Sequence, residues 1–98
     1  MKEATVTLKD ETLHLAGHLH VSNVMQVLKT SMSLLQSLSH WRIDFSGLTA
    51  SDSSGLALVL QWVKLAREKN RPLDLQHFPA DLTSIAKAAR LDELIPAS

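Results

Sequence analysis

The chain has 98 residues, the size of one domain, and its composition of 45% apolar and 20% charged residues excludes the disordered class of proteins. Ten basic residues balance ten acidic ones, so no net charge attracts nucleic acid or an anionic membrane surface. The absence of cysteine excludes disulfides and thiolate chemistry, and no apolar stretch reaches the roughly 18 residues of a membrane span. We therefore expect a single cytoplasmic domain over residues 1–98, with no nucleic acid partner and no direct membrane insertion.

The first part of the chain alternates in the way that paired strands do. In ATVTLKDETLHLAGHL, residues 4–19, the apolar residues share one face on each side of a KDE turn. Gly17 is typical of a β-bulge or a strand exit. From Ser22 the period becomes helical, and Ser22 and Asn23 are the predicted cap. The apolar face of this first helix consists of Val24, Leu28, Ser31, Leu35 and Leu38.

The remaining chain continues to alternate between strands and helices. HWRIDFSGL, residues 40–48, predicts a third strand, and LDLQ, residues 73–76, predicts a fourth. Between them a helix is expected from about Ser53 to Lys69, ending before Pro72. A third helix follows within residues 78–91, with Asp81 as its predicted cap. The order ββαβαβα predicts an α/β fold with a mixed four-stranded sheet and helices packed on it.

The stretch TASDSSGLALVL, residues 49–60, places the polar residues Asp52 to Ser54 and Gly55 directly before an apolar helix. Asp52 is a suitable N-cap, because its carboxylate accepts an N–H of the first turn, which contributes about 1 kcal/mol. One apolar stripe of this helix faces the sheet and consists of Leu56, Val59, Leu60, Val63 and Ala66.

A second apolar stripe, Leu58, Trp62 and Leu65, lies on another side of the same helix. The two stripes together are wider than the roughly 100° that one packed face needs. Either a neighbouring helix or a partner protein must cover the second stripe. We predict that Trp62 is partly exposed in the isolated domain and is an aromatic anchor for a partner.

Two catalytic interpretations of the polar residues find little support. His14, His18 and His20 alternate on the side away from the apolar face, but the sequence shows no carboxylate or cysteine beside them, so we expect no metal and no cofactor. A serine hydrolase is not expected, because SDSSG lacks the first glycine of the Gly-x-Ser-x-Gly elbow. The sequence therefore predicts a protein that is not an enzyme.

The stretch IDFSGLTASDSSGLALVLQWVKLAREKNRPLDL, residues 43–75, resembles the signature of STAS domains. This family includes anti-sigma-factor antagonists and the cytoplasmic domains of sulfate transporters. Within it, residues 55–69 and 82–96 resemble most closely the MlaB-like branch, the STAS subunits of Mla phospholipid-transport ABC complexes. The resemblance implies the STAS fold, without catalysis and with a role in binding other proteins.

The resemblance also implies two alternative partners. MlaB-like subunits bind the ABC transporter ATPase subunit through the hydroxyl that follows the aspartate, here Ser53. In the sigma-factor regulators the second hydroxyl, here Ser54, is phosphorylated by an anti-sigma-factor kinase. The Ser-Ser form departs from the Asp-Thr-Gly-Gly expected of MlaB, so a phosphorylation-controlled antagonist remains the alternative.

We prefer the ATPase of a Mla-type transporter that maintains outer-membrane lipid asymmetry, which would make the protein cytoplasmic and peripheral to the inner membrane. Gly55 is expected to let a partner backbone approach closely. The predicted partner-binding residues are Asp52, Ser53, Ser54, Gly55, Leu58, Trp62 and Leu65.

Overall fold

The computed structural model describes residues 3–95 as a four-stranded sheet that carries three helices. The elements are β1 (Thr5–Lys9), β2 (Thr12–Leu19), α1 (Val24–Leu35), β3 (Trp41–Ser51), α2 (Ser53–Glu68), β4 (Leu73–Gln76), α3 (Ala80–Ala88) and a final 3-10 turn (Asp92–Leu94). The strands lie in the order β1-β2-β3-β4, with β1 antiparallel to β2 and the other neighbours parallel. The predicted α/β class, element order and mixed sheet are confirmed.

The hairpin of β1 and β2 closes through a tight turn at Asp10 and Glu11. Both residues have positive φ values, 52° and 62°, as two-residue hairpin turns require. The register between β2 and β3 shifts directly after Gly17, whose φ is 90°, so the predicted irregularity is present, but the extra residue, Thr49, lies on β3.

The core lies between one face of the sheet and the helices. It is formed by apolar residues that alternate along β2, β3 and β4 and by the inner sides of the helices. Its largest members are Leu13, Leu15, Leu19, Leu35, Trp41, Ile43, Phe45, Trp62, Leu75 and Leu82. The opposite face of the sheet carries half-buried residues, mostly polar, such as His14 and Asp44. The helices thus cover one face of the sheet.

The prediction that Trp62 is partly exposed is wrong. Trp62 is 0% exposed and Leu58 is 3% exposed, while Leu65 is half-buried. The Trp62 indole N–H donates a hydrogen bond of 2.8 Å to the hydroxyl of Ser31 on α1, and its ring meets the Phe45 ring edge-on at 6.2 Å. The second stripe of α2 is therefore covered by the domain's own first helix and by β3, and Trp62 is not available as an anchor for a partner.

Two of the predicted helix caps also differ. The N-cap of α3 is Pro79, and Asp81 lies in the first helical turn, where a carboxylate still interacts favourably with the helix dipole. Asn23 occupies the N-cap position of α1, but its side chain makes no capping hydrogen bond. It accepts the N–H of His20 instead, because the chain has to turn sharply between β2 and α1.

Asp44 joins two histidines on the open face of the sheet. Its carboxylate lies 3.4 Å from Nδ1 of His14 on β2 and 2.9 Å from Nδ1 of His77, which follows β4. The expectation that no carboxylate accompanies the histidines is therefore wrong for His14, because β2 and β3 pair in parallel with His14 opposite Asp44, and it is wrong for His20, which lies 3.0 Å from the Glu3 carboxylate. Burial acts to raise the pKa of Asp44, but hydrogen bonds from the Ser46 N–H and from His77 outweigh it and lower that pKa.

Ser31→Ala is expected to lower the free energy of unfolding by about 2 kcal/mol, because it leaves the buried indole N–H of Trp62 without an acceptor. Urea unfolding measures the change. In a Trp62→Phe background the same substitution should cost clearly less, since no indole N–H remains. Equal costs in both backgrounds would contradict a role for this hydrogen bond in stability.

Asp44→Asn is expected to lower the free energy of unfolding by about 1 kcal/mol at pH 7, by weakening the contacts with His14 and His77. The pKa of Asp44 is lowered in the folded state, so its contribution is present above the unfolded pKa of about 4 and disappears as the pH falls through the folded value. Unfolding curves of both proteins should therefore converge at acid pH. Glu93→Gln, at an exposed position, is the control, and parallel curves for Asp44→Asn and the parent would overturn the prediction.

Candidate protein-binding site

The carboxylate of Asp52 joins two segments at the edge where the parallel strands β2 and β3 end. One oxygen, Oδ1, accepts the N–H of Ser54 at 2.9 Å and also the Ser54 hydroxyl. The other, Oδ2, accepts the N–H of Val21 at 3.3 Å, from the loop between β2 and α1. The predicted N-cap is confirmed, and it also fixes the neighbouring loop.

These hydrogen bonds lower the pKa of Asp52. The Ser54 hydroxyl has the largest effect, partial desolvation opposes it, and the N–H groups of Ser54 and Val21 add to the lowering. The positive end of the α2 dipole also favours a negative charge at this position. Asp52 is therefore an ionised acceptor at neutral pH, and its main contacts lie within the domain.

The two serines of the turn have different surroundings. Ser53 is exposed at the first position of α2. Ser54 is half-buried, and its hydroxyl is directed back to Asp52. Of the two predicted hydroxyls, the Ser53 hydroxyl is therefore the one that an approaching protein meets in solvent.

Gly55 has a different role from the one expected. It is buried, and a methyl group at its Cα would overlap the Ser51 hydroxyl and lie 3.4 Å from Leu82 of α3. The absence of a side chain therefore lets the start of α2 pack against its own domain. The expectation that Gly55 admits a partner backbone is wrong.

The loop between β2 and α1 is held beside Asp52 by a second polar cluster. The His20 ring lies 2.9 Å from the Ser22 hydroxyl through Nδ1 and 3.0 Å from the Glu3 carboxylate through Nε2. The Asn23 amide donates to the same carboxylate at 2.8 Å. The Asn23 bond, followed by the His20 bond, lowers the pKa of Glu3. Because both ends of this loop are tied, Val21 is presented at a fixed position.

An apolar groove of about 350 Å³ begins directly beside this turn, between α1 and α2. Met25 lines this groove and is 72% exposed, and Val21, in the loop held by Asp52, is 75% exposed, although both side chains are apolar. The groove is lined by Val24, Met25, Leu28, Ser54, Ala57, Leu58 and Gln61. Leu58 thus reaches the site only as part of the groove's floor.

The patterns in the sequence did not single out Val21 and Met25 as exposed apolar residues. A signal was present, because Met25 is an apolar residue outside the apolar face that begins at Val24 and continues through Leu28. Such a residue on the polar side of an amphipathic helix has no core to enter. The exposed apolar surface predicted for α2 is in fact carried by α1 and the loop that precedes it.

Within residues 3–95, no cluster of three or more histidine, cysteine, aspartate or glutamate side chains is arranged to hold a metal ion. Over the same residues, no helix is both long and apolar enough to cross a membrane. His20, which precedes Val21 in the loop that Asp52 holds, contacts Glu3 and Ser22. The turn and the groove together present one exposed serine beside an apolar concave surface.

Solved structures with the same fold are anti-sigma-factor antagonists and related proteins. SpoIIAA, an anti-sigma-factor antagonist in its unphosphorylated form, is 18% identical with a TM-score of 0.65 over 87% of this chain and 82% of its own. A Thermotoga maritima protein assigned as an anti-sigma-factor antagonist is 15% identical with a TM-score of 0.72 over 96% and 84%. A variant of RsbS from Moorella thermoacetica is 14% identical with a TM-score of 0.61 over 99% and 86%. At these identities the likeness shows the fold.

No curated protein sequence matches the chain. The family profile described as the MlaB STAS domain, however, matches residues 4–96, which include every element from β1 to the final turn. The match confirms the resemblance seen in the DSSG stretch and its flanking strand and helix. The chain therefore belongs to the STAS domain family, in its MlaB-like group.

Proposed function

We propose that this STAS domain binds and stabilises the ATPase subunit of a Mla-type lipid ABC transporter, on the cytoplasmic side of the inner membrane, in a system that maintains outer-membrane lipid asymmetry. The match to the MlaB profile supports this choice of partner. The observation that carries the proposal is the apolar groove between α1 and α2, which opens beside the exposed Ser53. The role is one of binding, without catalysis.

The groove and the turn have complementary tasks in this interface. An apolar side chain of the ATPase subunit enters the groove and covers Met25 and Val21, which removes exposed apolar surface from water. The Ser53 hydroxyl forms a hydrogen bond at the rim, where it fixes orientation. Asp52 does not contact the partner. Its hydrogen bonds to Ser54 and Val21 hold the start of α2 and the loop before α1 in place before the partner binds.

Ser53→Arg is expected to abolish binding of the purified ATPase subunit, because the long side chain blocks the rim, whereas Ser53→Ala should weaken binding. Met25→Glu should lower the affinity by about 30-fold, equivalent to about 2 kcal/mol, by placing a charge on the apolar wall. Calorimetric titration measures both. The free energy of unfolding should change by less than about 0.5 kcal/mol, since both positions are exposed.

Leu8→Glu is the matched control, because Leu8 is an exposed apolar residue on β1, 39% accessible, that does not line this groove. It should bind the ATPase subunit like the parent protein. If Ser53→Arg and Met25→Glu also bind with parental affinity, the turn is a helix cap only and the proposed interface is wrong.

The alternative function is that of a phosphorylation-controlled antagonist that binds an anti-sigma-factor kinase. The exposed hydroxyl at the N-terminus of α2 favours this second candidate, because the helix dipole there favours the negative charge of a phosphate. The resemblance pointed to Ser54 as the acceptor. Accessibility favours Ser53, since the Ser54 hydroxyl would first have to leave Asp52.

If the alternative holds, incubation with the kinase and ATP is expected to modify the parent protein and Ser54→Ala, but not Ser53→Ala. Mass spectrometry of the peptide that contains residues 51–56 locates the phosphate. Phosphate on Ser54 in the parent protein would contradict the argument from accessibility. Absence of phosphate from all three proteins, together with binding of the ATPase subunit, would contradict the alternative itself.

A further inference from the structure

A second concave surface lies along the C-terminal half of α2, on a face that shares no residue with the groove beside Ser53. Two adjoining hollows of about 260 and 270 Å³ meet at Val63 and Arg67 and together form what we call the trough. The floor of the trough is apolar and consists of Leu60, Val63, Ala66, Leu73 and Leu94. Leu94 is 47% exposed, so part of this apolar floor is in contact with solvent.

The rim of the trough is cationic. Lys64 and Arg67 lie on successive turns of α2, and Arg71 closes the trough beyond the end of the helix. Glu68 is the acidic residue that lines it. Among residues 3–95, no carboxylate lies within ion-pair distance of Lys64, Arg67 or Arg71.

The way in which α2 ends places Arg71 beside Arg67. Asn70 adopts a left-handed conformation with φ of 55°, and the Arg71 N–H donates back to the Ala66 carbonyl at 2.8 Å. This is a Schellman motif, in which the chain folds back over the last helical turn. Nε of Arg71 is consequently buried, and it has no hydrogen-bond acceptor within the part of the chain that the structure describes.

Helix termini alone do not explain this surface. Cations near the C-terminus of a helix are favoured by the helix dipole, which accounts for Arg67. The dipole does not account for an exposed apolar floor between the cations, nor for a buried guanidinium nitrogen without an acceptor. The apolar floor between cations suits a ligand that carries apolar side chains together with carboxylates, which can pair with the exposed Arg67. The buried Arg71 Nε is closed to such a ligand.

We propose that the trough is a second docking surface, and that its occupant is an acidic amphipathic helical segment of a partner protein. Apolar side chains of the segment cover Val63 and Leu94, and its carboxylates pair with Arg67 and Arg71. The elongated shape along α2 suits a helix laid in a groove. A membrane surface fits less well, because it needs a larger excess of basic residues, and this chain has no net charge.

The proposal is tested with two synthetic helical peptides of about 15 residues, the length at which isolated helices begin to form in water. Each has leucines on one face, and the other face carries glutamates in the first peptide and lysines in the second. Fluorescence anisotropy should show binding of the glutamate peptide, weakened by salt, and no binding of the lysine peptide. Amide NMR shifts should change around Val63, Arg67 and Leu94.

Arg67→Glu combined with Arg71→Glu should lower the affinity for the glutamate peptide by about tenfold or more, and should allow the lysine peptide to bind. Lys29→Glu, an exposed charge reversal on α1, is the matched control and should leave the binding unchanged. Arg67→Gln is the milder variant if the double charge reversal does not fold, and it should weaken binding of the glutamate peptide in the same direction.

Three results would each overturn the proposal. They are equal binding of both peptides, NMR shifts around Met25 instead of Arg67, and unchanged affinity in the arginine variants. Binding to vesicles of anionic phospholipid, lost in the arginine variants, with no binding of the glutamate peptide would assign the trough to a membrane surface instead. Ser53→Arg should bind the glutamate peptide normally, so that failure of the proposed ATPase interface and failure of the trough are distinguished.

Discussion

The burial of Trp62 is the constraint on which the arrangement of the helices depends. Its ring is 0% exposed between α1, α2 and β3, and its N–H has an acceptor only where Ser31 of α1 faces it. Ser31 in turn donates to the Leu28 carbonyl of its own helix at 2.8 Å, so the pair is satisfied without water. Leaving a buried indole N–H without an acceptor costs more free energy of folding than an ordinary hydrogen bond contributes. Because Ser31 is that acceptor, the bond fixes the position of α1 along α2. The groove between the N-terminal halves of the two helices is a consequence of that fixed position.

The polar residues before the apolar helix are divided between internal and external tasks. The Asp52 carboxylate accepts hydrogen bonds from the Ser54 hydroxyl and from the Val21 N–H. Gly55 has no side chain and so leaves space for the Ser51 hydroxyl. Of the residues of this stretch that belong to α2, Ser53 to Gly55, Ser53 is the exposed one. A short polar stretch can therefore close the strand-to-helix connection and still present one hydroxyl, because Asp52, Ser54 and Gly55 make contacts within the domain while Ser53 remains exposed. A substitution at Asp52 or Gly55 would disturb the domain, whereas one at Ser53 tests the surface.

Periodicity in the sequence predicted the four strands, the three helices and the cap at Asp52, since each depends on neighbours within a few residues. It did not predict which neighbour covers the second stripe of α2, because an apolar stripe is the same whether α1 or another protein packs on it. The polar Ser31 on the apolar face of α1 was the available signal that a buried donor would face it. The contacts of Asp44 with His14 and His77 depend on strand register over some 30 residues, which local patterns do not contain.

The chain has no net charge, but acidic and basic side chains lie at opposite ends of α2. Its N-terminal end has an ionised carboxylate, two hydroxyls and the apolar groove, and its C-terminal end has the cationic trough. The negative Asp52 lies at the positive N-terminal end of the helix dipole, and the positive Arg67 lies at its negative C-terminal end. Both charges therefore stabilise the helix, and they also distinguish its two surfaces. Because the charges cancel at a distance, recognition at either end depends on short-range fit rather than on long-range attraction. A small neutral domain can in this way present two chemically distinct surfaces on a single helix without weakening the core that both surfaces share.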